Sequence, residues 1–153
     1  MPTDLTPIRK ALTVPMTRAE AFRRFTERLD DWWPVESHSL SAAAGARPLG
    51  VRIEPREGGG IVETTHDGKE ALWGTVTDWV PGERFGFAWH VGRGPEEATQ
   101  VTVRFLPSDQ GTRVELDHGG WDRLGTTVSA RRDNYVGGWD MVLARFAAML
   151  AEA

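Results

Sequence analysis

Two kinds of side chain in this sequence offer acid–base chemistry: one histidine near the end of an extended segment, and several strand glutamates. His118 shares strand parity with Val114 and Leu116, so its imidazole is expected to lie on the sheet face that the long final helix covers. There it would act as a base, a ligand contact or a pH switch. The alternative is a structural histidine, bonded to backbone, that locks the Gly119-Gly120 turn.

Glu63 and Glu70 are the carboxylates whose direction the strand pattern leaves open, because each shares parity with an apolar neighbour. An inward-facing carboxyl with a raised pKa would serve as a general acid or base. The alternative is a solvated or hydrogen-bonded strand residue, since buried acids are rare unless they are paired. Glu54 and Glu115 alternate against apolar neighbours and are expected to face solvent.

The other histidines do not suggest a metal centre. His38, His66 and His90 lie far apart without ligand spacing, and the chain has no cysteine. No metal site, disulfide or thiolate nucleophile is therefore predicted. The sequence also lacks a glycine-rich phosphate loop and a hydrolase motif, and no cofactor is expected.

Composition and charge indicate one globular domain spanning residues 1–153. Apolar residues make up 40% and charged residues 26%, which is ordinary for such a domain. The net charge of −4 and the scattered arginines argue against a nucleic-acid surface. The first residues lack a signal-peptide pattern, and no apolar stretch approaches the ~18 residues of a membrane span. A cytoplasmic protein without a membrane partner is expected.

Hairpin-linked strands fill the chain between two helical regions. A strand is predicted at 8–14, then a helix that begins with a Thr17–Glu20 capping box and ends, with or without a second short helix, at Pro34. Residues 35–47 are rich in Ser, Ala and Gly and are predicted to form a mobile loop. A final helix of roughly 36 Å is predicted at 127–151. Six strands lie between them, at 49–53, 61–66, 70–80, 84–91, 99–106 and 112–118.

Consecutive hairpins imply an antiparallel sheet, and the last helix is the element long enough to cover it. The tandem glycines Gly137 and Gly138 lie inside that helix, where each costs about 1 kcal/mol relative to Ala. A glycine there would admit a neighbour such as Trp121, leave room for a ligand or allow a bend. The apolar stripe of the helix is Tyr135, Gly138, Trp139, Val142, Phe146, Met149 and Leu150.

The seven tryptophans fit either an aromatic-lined cavity or simple core filling. Trp73 and Trp79 share one parity on a long strand whose other parity carries Leu72, Val76 and Val80. Since alternate residues point to opposite faces, at least one of these two rows is expected to lie outside the core.

Short motifs in a shared order carry a resemblance to a known group of proteins. They are Phe25-Thr26, Trp32-Trp33, Leu72-Trp73-Gly74-Thr75-Val76, Val80-Pro81-Gly82-Glu83-Arg84-Phe85, Phe87-Ala88-Trp89, Gly111-Thr112-Arg113-Val114-Glu115-Leu116, His118-Gly119-Gly120-Trp121 and Tyr135-Val136-Gly137-Gly138-Trp139. Together they make the chain resemble the START-related helix-grip superfamily, also called SRPBCC. Within it, the chain is most similar to the bacterial branch named after the activator of heat shock protein 90 ATPase.

The resemblance implies an α+β helix-grip fold with the element order β-α-α-β-β-β-β-β-β-α. A curved, seven-stranded antiparallel sheet would wrap around the long C-terminal helix and leave a mainly apolar cavity. The superfamily contains lipid carriers, hormone receptors, cyclases and co-chaperones, so the fold does not select one activity.

Binding of a small, mainly apolar molecule between the last helix and the sheet is the leading functional hypothesis. In it, His118 and Tyr135 orient the polar end of the ligand, and residues 35–47 gate entry. The expected lining residues are Trp33, Val76, Phe87, Trp89, Val103, Val114, Leu116, His118, Tyr135, Gly138 and Val142.

Two alternatives use the same fold differently. A cyclase- or hydrolase-like enzyme would use His118, Glu63 or Glu70 as acid–base groups. An interaction module like the chaperone-ATPase activator would have a protein partner or form a homodimer. Trp73 or Trp79 on the outer face of the sheet would favour that module, because exposed apolar patches mark interaction sites.

Overall fold

The computed structural model of the chain describes residues 7–27, 29–34, 39–90, 98–121 and 128–151. Among these, residues 30, 31, 128–134, 136, 137, 150 and 151 are described by their backbone only. The elements in chain order are β1 (Ile8–Val14), α1 (Arg18–Glu27), α2 (Leu29–Trp32), α3 (Leu40–Ala43), β2 (Gly50–Ile53), β3 (Gly60–Thr64), β4 (Glu70–Val80), β5 (Arg84–Trp89), β6 (Thr99–Ser108), β7 (Gly111–Gly119) and α4 (Val128–Ala151).

The seven strands form one curved antiparallel sheet in the order β1-β7-β6-β5-β4-β3-β2. Each strand from β2 to β6 pairs with the next in sequence, as hairpin connections require. The first strand, β1, closes the order by pairing with β7. The predicted α+β helix-grip fold is confirmed. None of the described helices is both long and apolar enough to cross a membrane.

Helix α1 lies against the sheet through its aromatic face. Its capping box is confirmed in part: the Thr17 hydroxyl accepts a hydrogen bond from the Glu20 amide at 3.2 Å. Phe22 and Phe25 then pack edge-on against sheet phenylalanines, at ring distances of 5.3–6.0 Å. Phe25 also meets Phe146 of α4 at 4.9 Å, so α1 and α4 share one core.

The prediction of a loop over 35–47 is wrong for Leu40–Ala43, which form helix α3. Residues 35–38, including His38, lie outside the described residues. The Ser39 side chain caps α3 by accepting a hydrogen bond from the Ala42 amide at 3.1 Å. A four-residue helix has no periodicity to reveal it, and its main anchor, Glu63, lies in another element.

Two β-bulges on β4 overturn the expectation that one of its rows lies outside the core. Ile61 pairs with Gly74 and Val62 with Leu72, so the residue between them, Trp73, is an extra residue on β4. The pairing to β5 skips Thr77 in the same way. Because each bulge shifts the alternation by one residue, Trp73 is fully buried and Trp79 packs on Phe22 at 5.1 Å. The exposed large apolar side chain of this strand is Leu72.

Candidate functional site

A small apolar cavity lies between α4, α1 and the concave face of the sheet. Its volume is about 10 Å³, which is close to the minimum that one water molecule needs. Six of its ten wall residues are aromatic, and none carries a charge. The wall consists of Phe25, Leu29, Trp33, Ile53, Ile61, Phe85, Phe87, Trp89, Leu116 and Trp139.

Four of the expected lining residues lie in this wall: Trp33, Phe87, Trp89 and Leu116. The other predicted apolar positions are buried in the protein but do not line the cavity. These positions are Val76, Val103, Val114 and Val142. Gly138 is half-buried on α4, and its role as a space-making residue stays a prediction.

Six wall residues were absent from the sequence-based set, and the sequence carried a signal for several of them. Phe85 shares a strand face with Phe87 and Trp89, and Trp139 lies on the apolar stripe of α4. Phe25 and Leu29 bring the first helical region into the wall, which strand parity cannot foresee because it depends on how helices cross the sheet. The remaining two residues are Ile53 and Ile61.

Four tryptophans from separate parts of the chain form a continuous cluster, and three of them lie in the cavity wall. The Trp33 ring lies 5.6 Å from Trp73, 5.9 Å from Trp89 and 6.0 Å from Trp139. Trp73 and Trp89 meet edge-on at 5.7 Å. Each such pair adds about 0.5–1.5 kcal/mol beyond its buried area, so the wall is a cohesive aromatic surface.

His118 is fully buried and joins the sheet to α4 through both ring nitrogens. Trp139 Nε1 donates to His118 Nδ1 at 2.9 Å, so Nδ1 is the acceptor and the proton is on Nε2. His118 Nε2 then donates to the Thr99 hydroxyl at 2.6 Å, and Thr99 donates to the Trp89 carbonyl at 3.3 Å. This neutral imidazole fits the structural alternative, although its partners are side chains instead of backbone groups.

The segment after β7 turns the chain back over His118. Gly120 has φ +79°, a left-handed conformation that favours glycine. Trp121 Nε1 donates to the His118 carbonyl at 3.0 Å, and its ring lies 4.2 Å from the imidazole. Tyr135 covers the imidazole from α4 at 4.7 Å. His118 and Tyr135 therefore form a cluster beside the cavity and not part of its wall.

Glu63 is fully buried and accepts four hydrogen bonds. The donors are the Leu40 amide at 2.7 Å, the Ser41 amide at 2.9 Å, the Ser41 hydroxyl at 2.6 Å and Trp73 Nε1 at 2.9 Å. Burial alone raises the pKa of this carboxyl, but these donors outweigh it and hold the pKa below its usual range. Of the two alternatives for Glu63, the hydrogen-bonded strand residue fits these contacts and the carboxyl with a raised pKa does not; Glu63 anchors α3 to the sheet as a carboxylate.

The remaining acid–base candidates lie away from the cavity. Glu70 is exposed and pairs with Arg52 at 2.8 Å. His90 is buried at the end of β5, and His66 is exposed in the turn after β3. Within the described ranges, no three His, Asp or Glu side chains lie close enough together to hold a metal ion.

The tryptophans give no sign of an outward-facing interaction patch. Trp73 is fully buried, and Trp79 is half-buried against Phe22. The exposed large apolar side chains of the described part of the chain are Leu49, Leu72, Leu106 and Met141. A protein partner and a homodimer both stay predictions.

The curved sheet closed over a long C-terminal helix defines an α+β helix-grip protein of the SRPBCC superfamily. Residues 15–151 match the family described as Activator of Hsp90 ATPase homolog 1-like protein. The match covers most of the chain, so the chain belongs to this family. No curated protein sequence matches it.

Several solved structures share the fold over nearly the full length. The Mesorhizobium loti protein MLL2253 has a TM-score of 0.71 at 12% identity, covering 96% of this chain and 98% of its own. A Rhodobacter sphaeroides protein has a TM-score of 0.67 at 21% identity, covering 99% and 96%. The third, Txn09, is an anthrahydroquino-γ-pyrone synthase complexed with SUM; its TM-score is 0.62 at 30% identity, covering 97% and 99%.

Proposed function

We propose that the protein binds a flat, polycyclic aromatic molecule in the cavity beneath α4. The observation that carries this proposal is the composition of the wall, in which six of ten side chains are aromatic and none is charged. Such a wall favours stacking and edge-on contacts with aromatic rings. The name of Txn09 describes a fused-ring aromatic product, which supports the same ligand class for this chain.

Binding requires the cavity to open, because ligand pockets usually enclose about 300–1,000 Å³ and this one encloses about 10 Å³. The cavity is thus closed in this structure. The observed association constant then equals that of the open state multiplied by the fraction of molecules in the open state. A substitution that creates space in the wall is expected to lower the cost of opening and to strengthen binding.

Two variants of β7 test where the ligand binds. Leu116 lies in the wall, whereas Val114 is equally buried two residues away and is not in the wall. Xanthone, a three-ring γ-pyrone, serves as the probe in isothermal titration calorimetry. Leu116→Ala is expected to bind xanthone about tenfold more tightly than the unmodified protein, and Val114→Ala to bind it with unchanged affinity. Equal effects of both variants, or no binding by any of the three proteins, would contradict the proposal.

A cyclase activity is the second candidate, because a relative of 30% identity over nearly the whole chain is named as a synthase. No titratable side chain is present in the described wall, so catalysis would come from holding a flexible precursor folded. A suitable probe is 2-hydroxydibenzoylmethane, whose phenol oxygen adds to the distal ketone and loses water to give flavone. The expected result is faster flavone formation than in buffer or with heat-denatured protein; equal rates would exclude this activity for the probe.

A further inference from the structure

One wall tryptophan has a buried hydrogen-bond donor without an acceptor. Trp139 Nε1 donates to His118, but the indole nitrogen of Trp89 has no partner among the described residues. The Trp89 side chain is 4% exposed, so water does not cover it. Leaving a buried N–H unpaired costs about 1–3 kcal/mol, and such groups are rare in native proteins.

Water inside the cavity does not explain this donor. A buried water normally needs two to four polar partners, and apart from the indole N–H groups of Trp33 and Trp139 the other described wall side chains are hydrocarbon. A cavity of about 10 Å³ with such walls is expected to stay empty. Because Trp89 lines the cavity, a molecule that fills the opened cavity would bring an acceptor to this wall residue.

We propose that the ligand carries a neutral, carbonyl-type oxygen that accepts a hydrogen bond from Trp89 Nε1. This inference rests on the proposed function and narrows its ligand class to aromatic ketones, quinones and pyrones. A phenol is disfavoured because the described wall side chains offer no acceptor for its O–H. A carboxylate is disfavoured because the wall has no cation to pair with it.

Xanthone and xanthene form a matched probe pair, since both have three fused rings and only xanthone has the carbonyl. Trp89→Phe removes the N–H and keeps an aromatic ring in the wall. Trp32→Phe is its control, because Trp32 Nε1 is also buried without a described partner but Trp32 does not line the cavity. Affinities for both probes are measured by calorimetry, and indole N–H signals are followed by nitrogen-15 NMR.

In the unmodified protein, xanthone is expected to bind about tenfold more tightly than xanthene, which corresponds to one hydrogen bond. Trp89→Phe abolishes this preference, and Trp32→Phe retains it. The indole N–H signal that disappears in Trp89→Phe shifts when xanthone is added and does not shift with xanthene.

The two proposals fail in different ways. If xanthone and xanthene bind equally well and Trp89→Phe leaves their affinity ratio unchanged, the carbonyl inference is wrong while aromatic binding stands. If neither compound binds, aromatic binding is wrong, and the carbonyl inference that rests on it is wrong as well.

Discussion

Replacing Glu63 by Gln keeps the shape of a buried side chain but removes its charge and one of its two acceptor oxygens. Glu63 Oε1 accepts from Leu40 and Trp73, and Oε2 accepts from the amide and hydroxyl of Ser41. The new amide is expected to direct its oxygen toward the two N–H donors on the first side. Its NH₂ group then faces Ser41. The Ser41 hydroxyl can rotate and accept a hydrogen bond from this group, but the Ser41 backbone N–H is a donor only and cannot pair with it.

The cost follows from these contacts. The Ser41 amide is left unpaired in a buried site, which costs about 1–3 kcal/mol. The bonds to the retained oxygen weaken from charged to neutral strength, by about 1 kcal/mol each. Relief from burying a charge offsets part of this loss. The free energy of unfolding at pH 7 is therefore expected to fall by about 3 kcal/mol, with a drop in Tm of about 6–12 °C.

Urea unfolding at pH 7 measures this loss, and Glu70→Gln is the matched control. Glu70 makes an exposed ion pair with Arg52, so its substitution is expected to change stability by less than about 0.5 kcal/mol. A loss below about 1 kcal/mol in Glu63→Gln would refute the assignment of Glu63 as a charged anchor of α3.

The pH dependence gives a second readout of the same carboxylate. The folded-state pKa of Glu63 is depressed, so its contribution to stability is complete above pH 4.5 and is lost as pH falls through the folded pKa. The stability gap between the unmodified protein and Glu63→Gln should shrink below pH 4.5. A gap that widens on acidification would mean that the folded-state pKa is raised.

Two further substitutions test the packing around the site. His118→Phe removes the hydrogen-bond partner of Trp139 Nε1 and the imidazole donor to the Thr99 hydroxyl. It is expected to lower the free energy of unfolding, measured in urea, by about 2–4 kcal/mol. A loss below about 1 kcal/mol would contradict the hydrogen-bond network. In Gly74→Ala, the added Cβ would lie 2.2 Å from the Ala88 carbonyl oxygen. We expect a loss of about 2 kcal/mol or more in thermal unfolding, and an unchanged Tm would contradict the close strand approach.

Much of the fold could be predicted from local patterns. The strands Ile8–Val14 and Glu70–Val80 have the predicted bounds, because alternation and flanking turn residues mark them. Helix α3 could not be predicted, since it is stabilised by hydrogen bonds that its amides donate to a distant glutamate. The two bulges of β4 could not be predicted either, because strand alternation assumes that no residue is skipped in pairing.

The sequence predicted several of the residues that line the cavity, but not which positions along each strand do so. Phe87, Trp89 and Leu116 were among the expected lining residues, and all three lie in the cavity wall. Val103 and Val114 were also expected to line the cavity, but they are buried outside its wall. Strand parity does not predict where along a strand the packing leaves space. Both ring nitrogens of His118 form hydrogen bonds, with Thr99 of β6 and Trp139 of α4. These partners are distant in the sequence, so the sequence alone could not predict the two bonds.

A crystal structure of the protein with xanthone would test the central claim most directly. We predict that xanthone lies against Trp33 and Trp139 in an enlarged cavity beneath α4, with its carbonyl oxygen within hydrogen-bond distance of Trp89 Nε1. Xanthone bound on the outer face of the sheet, with the cavity still closed at about 10 Å³, would contradict the claim.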